Sequence, residues 1–398
     1  MMKNLWCDSI VCEKNIAWMV GTNVNALFKL DFNMRTYEFI TDFPDEPIID
    51  FRVNPFYIKI ENEIFFFPDL GKYIWIYNVT SKSFDKISLN NPNKVRIGIN
   101  MIFKVDNSIY AIANGLKQIV EINISKKSVV GIYSIEKYMQ GFVCNSEGCI
   151  ANANIYFTIP EKNEICEFST ETKNITTYSV DGEIMPQTIC YDGKDFWLTG
   201  RTKEIVRWNK EKNAVIDYLS IPKSVGVFEN VSGIFCENTS DVRYQKPLYR
   251  WSLNFLDKIW FIPYMANKVV YFDKKEQKIC ICNIESEHED AKSWDRLEQV
   301  KYRFECIFQE RYILLYSFKN RQYLIIDTTK NTAQPMNIVM RKESFPRFFE
   351  HVLSQHSYMV ETDNMNILDI FDLPSKNGKE KKSMGIGKKI YQQLMMER

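Results

Sequence analysis

Pairs of short apolar runs recur along the whole of the 398-residue chain. In each pair, a run rich in Ile, Val, Phe, Tyr and Trp meets a few turn-forming residues, and a second apolar run follows. β-Branched and aromatic residues on both sides of a short turn favour a β-hairpin, and their spacing does not match the helical period. The second run closes on Asp, Asn or Ser at eight positions, which we call the closing residues: Asp31, Asn78, Asn123, Ser169, Asn209, Asp273, Asp327 and Asp372.

Further apolar runs on either side turn most of these hairpins into four-stranded units. Upstream runs begin at Phe56, Met101 and Gln187, and downstream runs begin at Phe84 and Val215. Four-stranded units that repeat at a period of about 45 residues are typical of a β-propeller, in which each unit forms one blade. The pattern therefore predicts an all-β protein, a β-propeller with eight four-stranded blades, and seven blades are the alternative.

The two ends of the repeat bear on how such a ring would close. No clear outer strand follows Asp372, whereas residues 3–7 stand just before the first predicted innermost strand. If this N-terminal segment supplied the missing outer strand, the ring would close without an exposed sheet edge. We therefore predict a single propeller domain over residues 1–374, closed by a strand at residues 3–7.

Residues 375–398 differ from the repeat and are predicted to form a basic C-terminal tail. A polar, lysine-rich stretch comes first, and Ile390 and Leu394 then stand four apart, as on one face of a helix. A helix as short as this is marginal in isolation. The tail is expected either to be disordered or to form a short helix that docks on a partner, a membrane surface or the propeller.

Composition narrows the classes of partner and compartment. A net charge of +1 gives no overall attraction to nucleic acid or to anionic membranes, so no nucleic acid partner is expected. The N-terminal segment carries charges throughout and has no uninterrupted apolar core, which argues against a signal peptide. No run approaches the roughly 20 apolar residues of a membrane span. These features predict a cytoplasmic protein without a membrane span.

Four of the ten cysteines, Cys12, Cys144, Cys190 and Cys236, fall on or near predicted innermost strands. A reduced cysteine is a small, readily buried side chain, and it suits the crowded centre of a propeller. A ring of thiols that binds a metal ion is the alternative, but such sites normally show closely spaced Cys or His pairs. We predict packing for these residues, with no metal and no cofactor.

Residues for acid–base catalysis are hard to assemble from the sequence. The histidines are His288, His351 and His356, and the odd spacing of the last two would place them on opposite faces of a continuous strand. Carboxylates are abundant, but one sequence does not show which of them meet in space. Enzymatic activity is therefore left open.

The chain resembles β-propeller repeat proteins over nearly its whole length. Residues 192–209, DGKDFWLTGRTKEIVRWN, look like a blade hairpin of the kelch or streptogramin-lyase type. The glycine doublet of kelch blades is missing, since Val20 and Gly21 or Pro263 and Tyr264 stand there. The streptogramin-lyase resemblance implies a catalytic histidine near the propeller mouth, but no histidine of this chain lies on such a motif, so the activity is not carried over.

Binding in propellers usually involves the face where the loops between second and third strands meet the loops between blades. The predicted hairpin loops could give this face a basic rim that binds an anionic ligand, although basic residues are also common in ordinary exposed turns. The basic residues of these loops are Lys72, Lys117, Lys162, Arg201, Lys203, Lys319 and Arg321.

Two intervals exceed the repeat and predict insertions near the sixth and seventh units. The first covers residues 238–254, and the second covers residues 286–300. Exposed aromatic residues and arginines are favoured at binding surfaces, although these segments could also brace the propeller. Together with the basic rim they give the predicted binding residues: Arg201, Lys203, Arg243, Tyr244, Tyr249, Arg250, Trp251, Trp294 and Arg321.

The sequence thus favours a non-enzymatic binding or scaffold module that recognises a protein, peptide or glycan through one propeller face. The competing hypothesis is a lyase or hydrolase that uses carboxylates or a tyrosine in the propeller mouth. Clustered, buried carboxylates with shifted pKa values in the mouth would favour the enzyme. An open aromatic patch would favour the binding module.

Overall fold

The computed structural model shows a ring of seven antiparallel β-sheets, each with four consecutive strands paired in chain order. Within the described residues, no helix is long and apolar enough to cross a membrane. The predicted C-terminal tail and the eighth predicted hairpin, residues 357–372, lie outside the described residues. The structure describes residues 7–22, 24–48, 53–89, 96–139, 148–200, 202–226, 248–264, 266–284, 302–317 and 322–355.

The first four blades take up the N-terminal half of the chain. Blade one contains β1 (Cys7–Glu13), β2 (Ile16–Gly21), β3 (Ala26–Asp31) and β4 (Thr36–Asp42). Blade two contains β5 (Phe56–Ile60), β6 (Glu63–Phe67), β7 (Tyr73–Asn78) and β8 (Ser83–Ser88). Blade three contains β9 (Ile99–Val105), β10 (Ser108–Ala113), β11 (Gln118–Asn123) and β12 (Ser128–Ser134). Blade four contains β13 (Gly148–Ala151), β14 (Asn154–Ile159), a 3₁₀ turn (Pro160–Lys162), β15 (Glu164–Phe168) and β16 (Ile175–Ser179).

Three further blades complete the ring. Blade five contains β17 (Thr188–Tyr191), β18 (Phe196–Thr199), β19 (Glu204–Asn209) and β20 (Ala214–Ser220). Blade six contains β21 (Tyr249–Phe255), β22 (Lys258–Pro263), β23 (Val270–Asp273) and β24 (Lys278–Ile281). After the short strand β25 (Asn283–Ile284), blade seven contains β26 (Tyr302–Phe308), β27 (Tyr312–Ser317), β28 (Gln322–Asp327) and β29 (Thr332–Met336). The chain then forms β30 (Val339–Met340) and the helix α1 (Ser344–Gln355).

This topology gives the ring two different faces. The turns between first and second strands and between third and fourth strands lie on one face, which we call the lower face. The loops between second and third strands and the loops between blades lie on the other, which we call the upper face.

The closing residues end the third strand of each described blade, or directly follow it in the case of Ser169, and shape the turn that comes next. In blade one, the Asp31 side chain accepts hydrogen bonds from the backbone N–H groups of Asn33 and Met34, at 2.9 and 3.0 Å. Arg35 completes the turn at a φ of 53°. Asp, Asn and Ser favour such turns because their short side chains accept hydrogen bonds from nearby backbone. The same bond recurs at Asn78, Asn123, Ser169, Asn209, Asp273 and Asp327.

Each blade is apolar on both faces of its sheet, so its neighbours bury both. In β22, Ile259 and Phe261 join the core cluster shared with blade five. Trp260 and Ile262, which alternate with them, join the cluster shared with blade seven. The described core divides into seven such clusters, one between each pair of adjacent blades.

The cluster between blades seven and one joins the last blade to the first. The blade number is therefore seven, which was the alternative to the predicted eight. Phe32 and Phe308 stack with ring centroids 4.2 Å apart. The Cys7 sulfur lies 3.6 Å from the Tyr323 hydroxyl. Eight blades were expected because an eighth hairpin pattern follows Asp327, but blade seven already packs against blade one.

The closure of the ring also differs from the expectation that an N-terminal segment supplies the outer strand of the last blade. Cys7 begins β1, the innermost strand of blade one, and the other residues of segment 3–7 lie outside the described residues. The outer strand of blade seven is its own β29. Of the expected outer strand at residues 3–7, Cys7 is the described residue, and it pairs with Gly21 of β2 at the centre of blade one and not at an outer edge.

Two short parallel strands link outer edges instead. The chain leaving blade six forms β25, which pairs with the start of β29 in blade seven. The chain leaving blade seven forms β30, which pairs in the same way with the start of β4 in blade one. Helix α1 then covers β4, where Phe348 is fully buried against Phe28 and Phe39 with ring centroids 5.7 and 5.4 Å apart.

We predict that Phe348→Ala lowers the free energy of unfolding by about 3–5 kcal/mol, because it empties a buried aromatic site at the closure. Chemical denaturation measures the change. Glu350→Ala, an exposed change on the same helix, is the control and should stay within about 0.5 kcal/mol of the parent. Equal stabilities for the two variants would contradict a closing role for α1.

Candidate binding site on the upper face

A ring of buried polar side chains lies near the upper ends of the second strands. The Asp69 carboxylate accepts two hydrogen bonds from Arg96 in the next loop between blades, both at 2.5 Å. The hydroxyls of Thr188 and Thr199 are 2.8 Å apart. The first contact fixes the loop between blades two and three to blade two, and the second joins the first two strands of blade five. The ring contains Thr22, Asp69, Asn114, Thr158, Thr199 and Ser317.

Two glycines bring the upper loops close together. A Cβ at Gly115 would lie 2.0 Å from the Arg96 carbonyl oxygen, and one at Gly200 would lie 1.9 Å from the Ile184 carbonyl oxygen. Both distances are shorter than any real contact, so glycine is required where these loops meet. The described upper loops are therefore closely packed at these two positions.

A buried carboxylate, Glu46, lies on this face between blades one and two. Its Oε2 accepts hydrogen bonds from the side-chain amides of Asn25 and Asn54, at 3.2 and 2.6 Å. Its Oε1 faces the backbone N–H of Lys72 at 3.4 Å. Both oxygens of Glu46 thus join loop segments to one another, as those of Asp69 do.

A second kind of carboxylate group lies between blades three and four, on the lower side. Glu121 accepts hydrogen bonds from Tyr110 at 2.9 Å and Tyr133 at 2.6 Å, and Lys173 of the next blade lies 3.0 Å away. Burial acts to raise the pKa of Glu121, but hydrogen bonds from Tyr133, Lys173 and Tyr110 outweigh it and leave that pKa lowered. Burial and the Glu121 carboxylate raise the pKa of Tyr133 to about 12.

The same group recurs one blade later around Glu167. Tyr156 and Tyr178 each donate to it at 2.6 Å, and Lys210 of blade five lies 2.6 Å away. Burial and Glu167 raise the pKa of Tyr178 to about 12. A general acid or base works best with a pKa near the working pH. These groups keep their carboxylates ionised and their phenols protonated, so they connect blades and are poorly suited to proton transfer.

An arginine packed with aromatic rings lies at the upper end of blade six. Arg250 is an extra residue in β21, because Tyr249 pairs with Pro263 while Trp251 pairs with the adjacent Ile262. Such a bulge changes the direction of a side chain. The Arg250 guanidinium lies 5.2 Å from the Trp251 ring centroid and 5.9 Å from that of Tyr264.

Three lysines lie in the loops around Arg250. Lys203 and Lys223 are exposed, and Lys268 is half-buried. The Lys203 carbonyl accepts a hydrogen bond from Ile221 N–H at 3.3 Å, which holds its loop against the segment that carries Lys223. We call these four residues the upper basic patch: Lys203, Lys223, Arg250 and Lys268.

The predicted binding residues divide into three groups in the structure. Lys203, Arg250 and Trp251 lie on or beside the patch. The expectation of an exposed Tyr249 is wrong, because residues 249–255 form the innermost strand β21 and Tyr249 is fully buried in the core between blades five and six. The remaining predicted residues lie outside the described residues: Arg201, Arg243, Tyr244, Trp294 and Arg321.

Sequence reasoning missed Lys223, Lys268 and Tyr264. Lys223 lies in a loop between blades, which the repeat pattern does not outline. Lys268 and Tyr264 follow the second strand of blade six. Their position in a loop between second and third strands could therefore have marked them as candidate binding residues. The bulge that separates Arg250 from the regular pairing could not have been found, because strand register is not visible in one sequence.

The histidine implied by the lyase resemblance is not in the described part of the propeller mouth. His351 lies on α1 at the outer rim, with its Nδ1 3.2 Å from the Asp42 carboxylate and its ring against Phe39. His288 and His356 lie outside the described residues.

The predicted inner-strand cysteines are placed as expected where they can be followed. Cys12 lies in β1 and Cys190 in β17, both innermost strands, whereas Cys144 and Cys236 fall outside the described residues. No three His, Cys, Asp or Glu side chains come together to hold a metal ion in the portion of the chain that the structure describes.

Comparisons with known proteins support the fold. No protein-family model and no curated protein matches the sequence. Virginiamycin B lyase from Staphylococcus aureus is similar in structure, with a TM-score of 0.55 and 14% identity over 78% of this chain and 90% of that one. The RRP9 WD40 repeats give a TM-score of 0.53 at 8% identity, covering 79% of this chain and 88% of that one. U3-55K gives a TM-score of 0.54 at 8% identity, covering 79% of this chain and 89% of that one.

At these identities the likeness is one of fold, and it agrees with the geometry above. The chain is a seven-bladed β-propeller of four-stranded blades.

We predict that the tyrosine–carboxylate groups make stability fall in alkaline solution. A phenol whose pKa rises on folding stabilises the protein fully below the unfolded pKa of about 10, and this is lost as pH rises through about 12, the folded value for Tyr133 and Tyr178. The denaturation midpoint should therefore drop over that range. A Tyr133→Phe, Tyr178→Phe variant should show a shallower drop, and an unchanged slope would contradict the assignment.

Proposed function

We propose that this protein is a non-enzymatic binding module that holds a protein or peptide partner on its upper face at blades five and six. The observation that carries the proposal is the packing of Arg250 with Trp251 and Tyr264 at the upper end of a bulged innermost strand. Arginine, tryptophan and tyrosine are the residues that most often dominate binding energy at protein interfaces.

The ordering of the described loops around the patch favours binding as well. A surface that is already ordered loses little conformational entropy when a partner docks. Hydrogen bonds hold the loops here: the backbone N–H of Gly226 donates to the Asn267 side chain at 2.9 Å, and Tyr264 N–H donates to the Leu248 carbonyl at 2.8 Å. The similarity to WD40 repeats is a likeness of fold, so the partner class rests on the chemistry of the patch.

The competing enzyme hypothesis has less support among the described residues. Glu46 and Asp69, the buried carboxylates of the upper face, have both oxygens engaged by neighbouring loops. Glu121 and Glu167, whose pKa values are lowered, belong to the lower side and stay ionised near neutral pH. Neither set offers a poised acid or base in the mouth.

The cytoplasmic location is part of the same proposal. The eight cysteines among the described residues are all free thiols, which supports a reducing compartment.

Site-specific photo-crosslinking in cells tests the binding face. A photoreactive amino acid replaces Lys203 on the upper face or, as the control, Lys194 on the lower face; both are exposed lysines of blade five. We expect protein adducts from position 203 and none from position 194. Adducts from both positions alike, or from 194 alone, would contradict an upper-face site.

A substitution tests the residue that carries the proposal. We expect Arg250→Ala to weaken the partner captured at position 203 by about 2 kcal/mol, the loss typical of a central arginine anchor. Thermal melting of the same variant serves as the control for folding. Undiminished capture by a folded Arg250→Ala protein would rule out Arg250 as the anchor.

A further inference from the structure

Charge is unevenly distributed around the upper face. The described loops of blades five and six, with the strand residues that adjoin them, hold Lys203, Lys223, Arg250 and Lys268 against one acidic residue, Glu204. The described residues here carry a local excess of three positive charges on a molecule with a net charge of +1.

The opposite side of the ring has the reverse balance. Between blades one and two, the described upper loops carry Asp45, Glu46 and Asp69 against Lys72. Closer to the patch, Asp181 and Glu183 are exposed in the loop between blades four and five. The upper basic patch thus borders acidic residues on its blade-four side, and acidic residues also outnumber basic ones in the described upper loops between blades one and two.

Hydrogen bonds between loops keep the four cations in one connected area. Asn267 N–H donates to the Gly226 carbonyl at 3.0 Å, which joins the loop of Lys268 to the segment that carries Lys223. Ala266 N–H donates to the Leu248 carbonyl at 3.1 Å, which joins the same loop to the start of β21 and Arg250. The cations therefore belong to one fixed frame.

We infer that the partner segment bound here is a short acidic peptide, an inference that rests on the proposed function of this face. Carboxylates of such a peptide would form charge-assisted hydrogen bonds with Arg250, whose planar guanidinium suits a carboxylate, and ion pairs with the exposed lysines. Trp251, which packs beside Arg250, would hold the guanidinium in position.

A short acidic peptide fits the surface better than a nucleic acid does. Single strands bind by stacking bases on open aromatic faces. Tyr264 is 8% exposed, and Trp251 packs against the core between blades six and seven, so both rings are largely covered. Asp181 and Glu183 would also repel a long polyanion that extends beyond the patch. The surface favours an anion of limited length.

Fluorescence anisotropy with a labelled octaglutamate peptide tests the inference on the full-length protein. We expect binding at low ionic strength that weakens as salt rises, because ion pairs on a surface are screened. A Lys203→Glu, Lys223→Glu variant should bind at least tenfold more weakly. The control is Lys194→Glu, Lys212→Glu, which makes the same charge change at two exposed lower-face lysines of blade five and should stay within twofold.

Two results would overturn the inference. Equal weakening in both double variants would show that net charge, and not the patch, governs binding. Tighter, patch-dependent binding of a labelled octathymidylate would assign the site to nucleic acid instead.

The same measurements separate this inference from the proposed function. Upper-face crosslinks at position 203, together with no octaglutamate binding, would leave the binding face intact and reject the acidic partner. Absence of crosslinks at position 203, together with patch-dependent octaglutamate binding, would reject the proposed protein-binding role while the anion site stands.

Discussion

Burial on both faces of every blade is the constraint on which the rest of this structure depends. Consecutive residues of one strand, such as Phe261 and Ile262 in β22, point to opposite sides and pack into different clusters. A blade with a neighbour on one side would expose a whole apolar sheet face to water, at about 25 cal/mol for each Å². The chain therefore has to return to its beginning, and the packing of Phe32 on Phe308 marks the place where it does.

Closure through packed faces leaves the outer sheet edges as the remaining problem, since an unpaired edge invites pairing with other chains. At blades seven and one, the preceding blade covers the edge with a short parallel strand. At the final junction, α1 extends this cover, and Arg341 adds a hydrogen bond to the Glu38 carboxylate at 3.3 Å. The end of the described chain thus joins its first blade by adding the short strand β30 to the outer edge of that sheet.

The repeat could be predicted from sequence because the turn chemistry is local. The turn after Asp31, like the turns after the other closing residues, requires only a short polar side chain at the end of the third strand. A single sequence shows where such residues recur. The blade number depended on whether residues 357–372 add another unit, which is a matter of long-range packing. The buried Tyr249 and the bulge at Arg250 depended on register, and two strands that each look regular do not reveal where one of them gains a residue.

The difference between the lower and upper faces of the ring explains where function can arise on this molecule. On the lower face, capped turns and the groups around Glu121 and Glu167 connect blades, so most side chains there are needed for the ring itself. On the upper face, buried polar side chains and glycines connect the described loops, and Lys203 and Lys223 lie exposed in those loops. Arg250 combines both properties, because the bulge keeps its strand paired while it adds a cation beside two aromatic rings. A binding site here therefore makes little demand on the stability of the propeller.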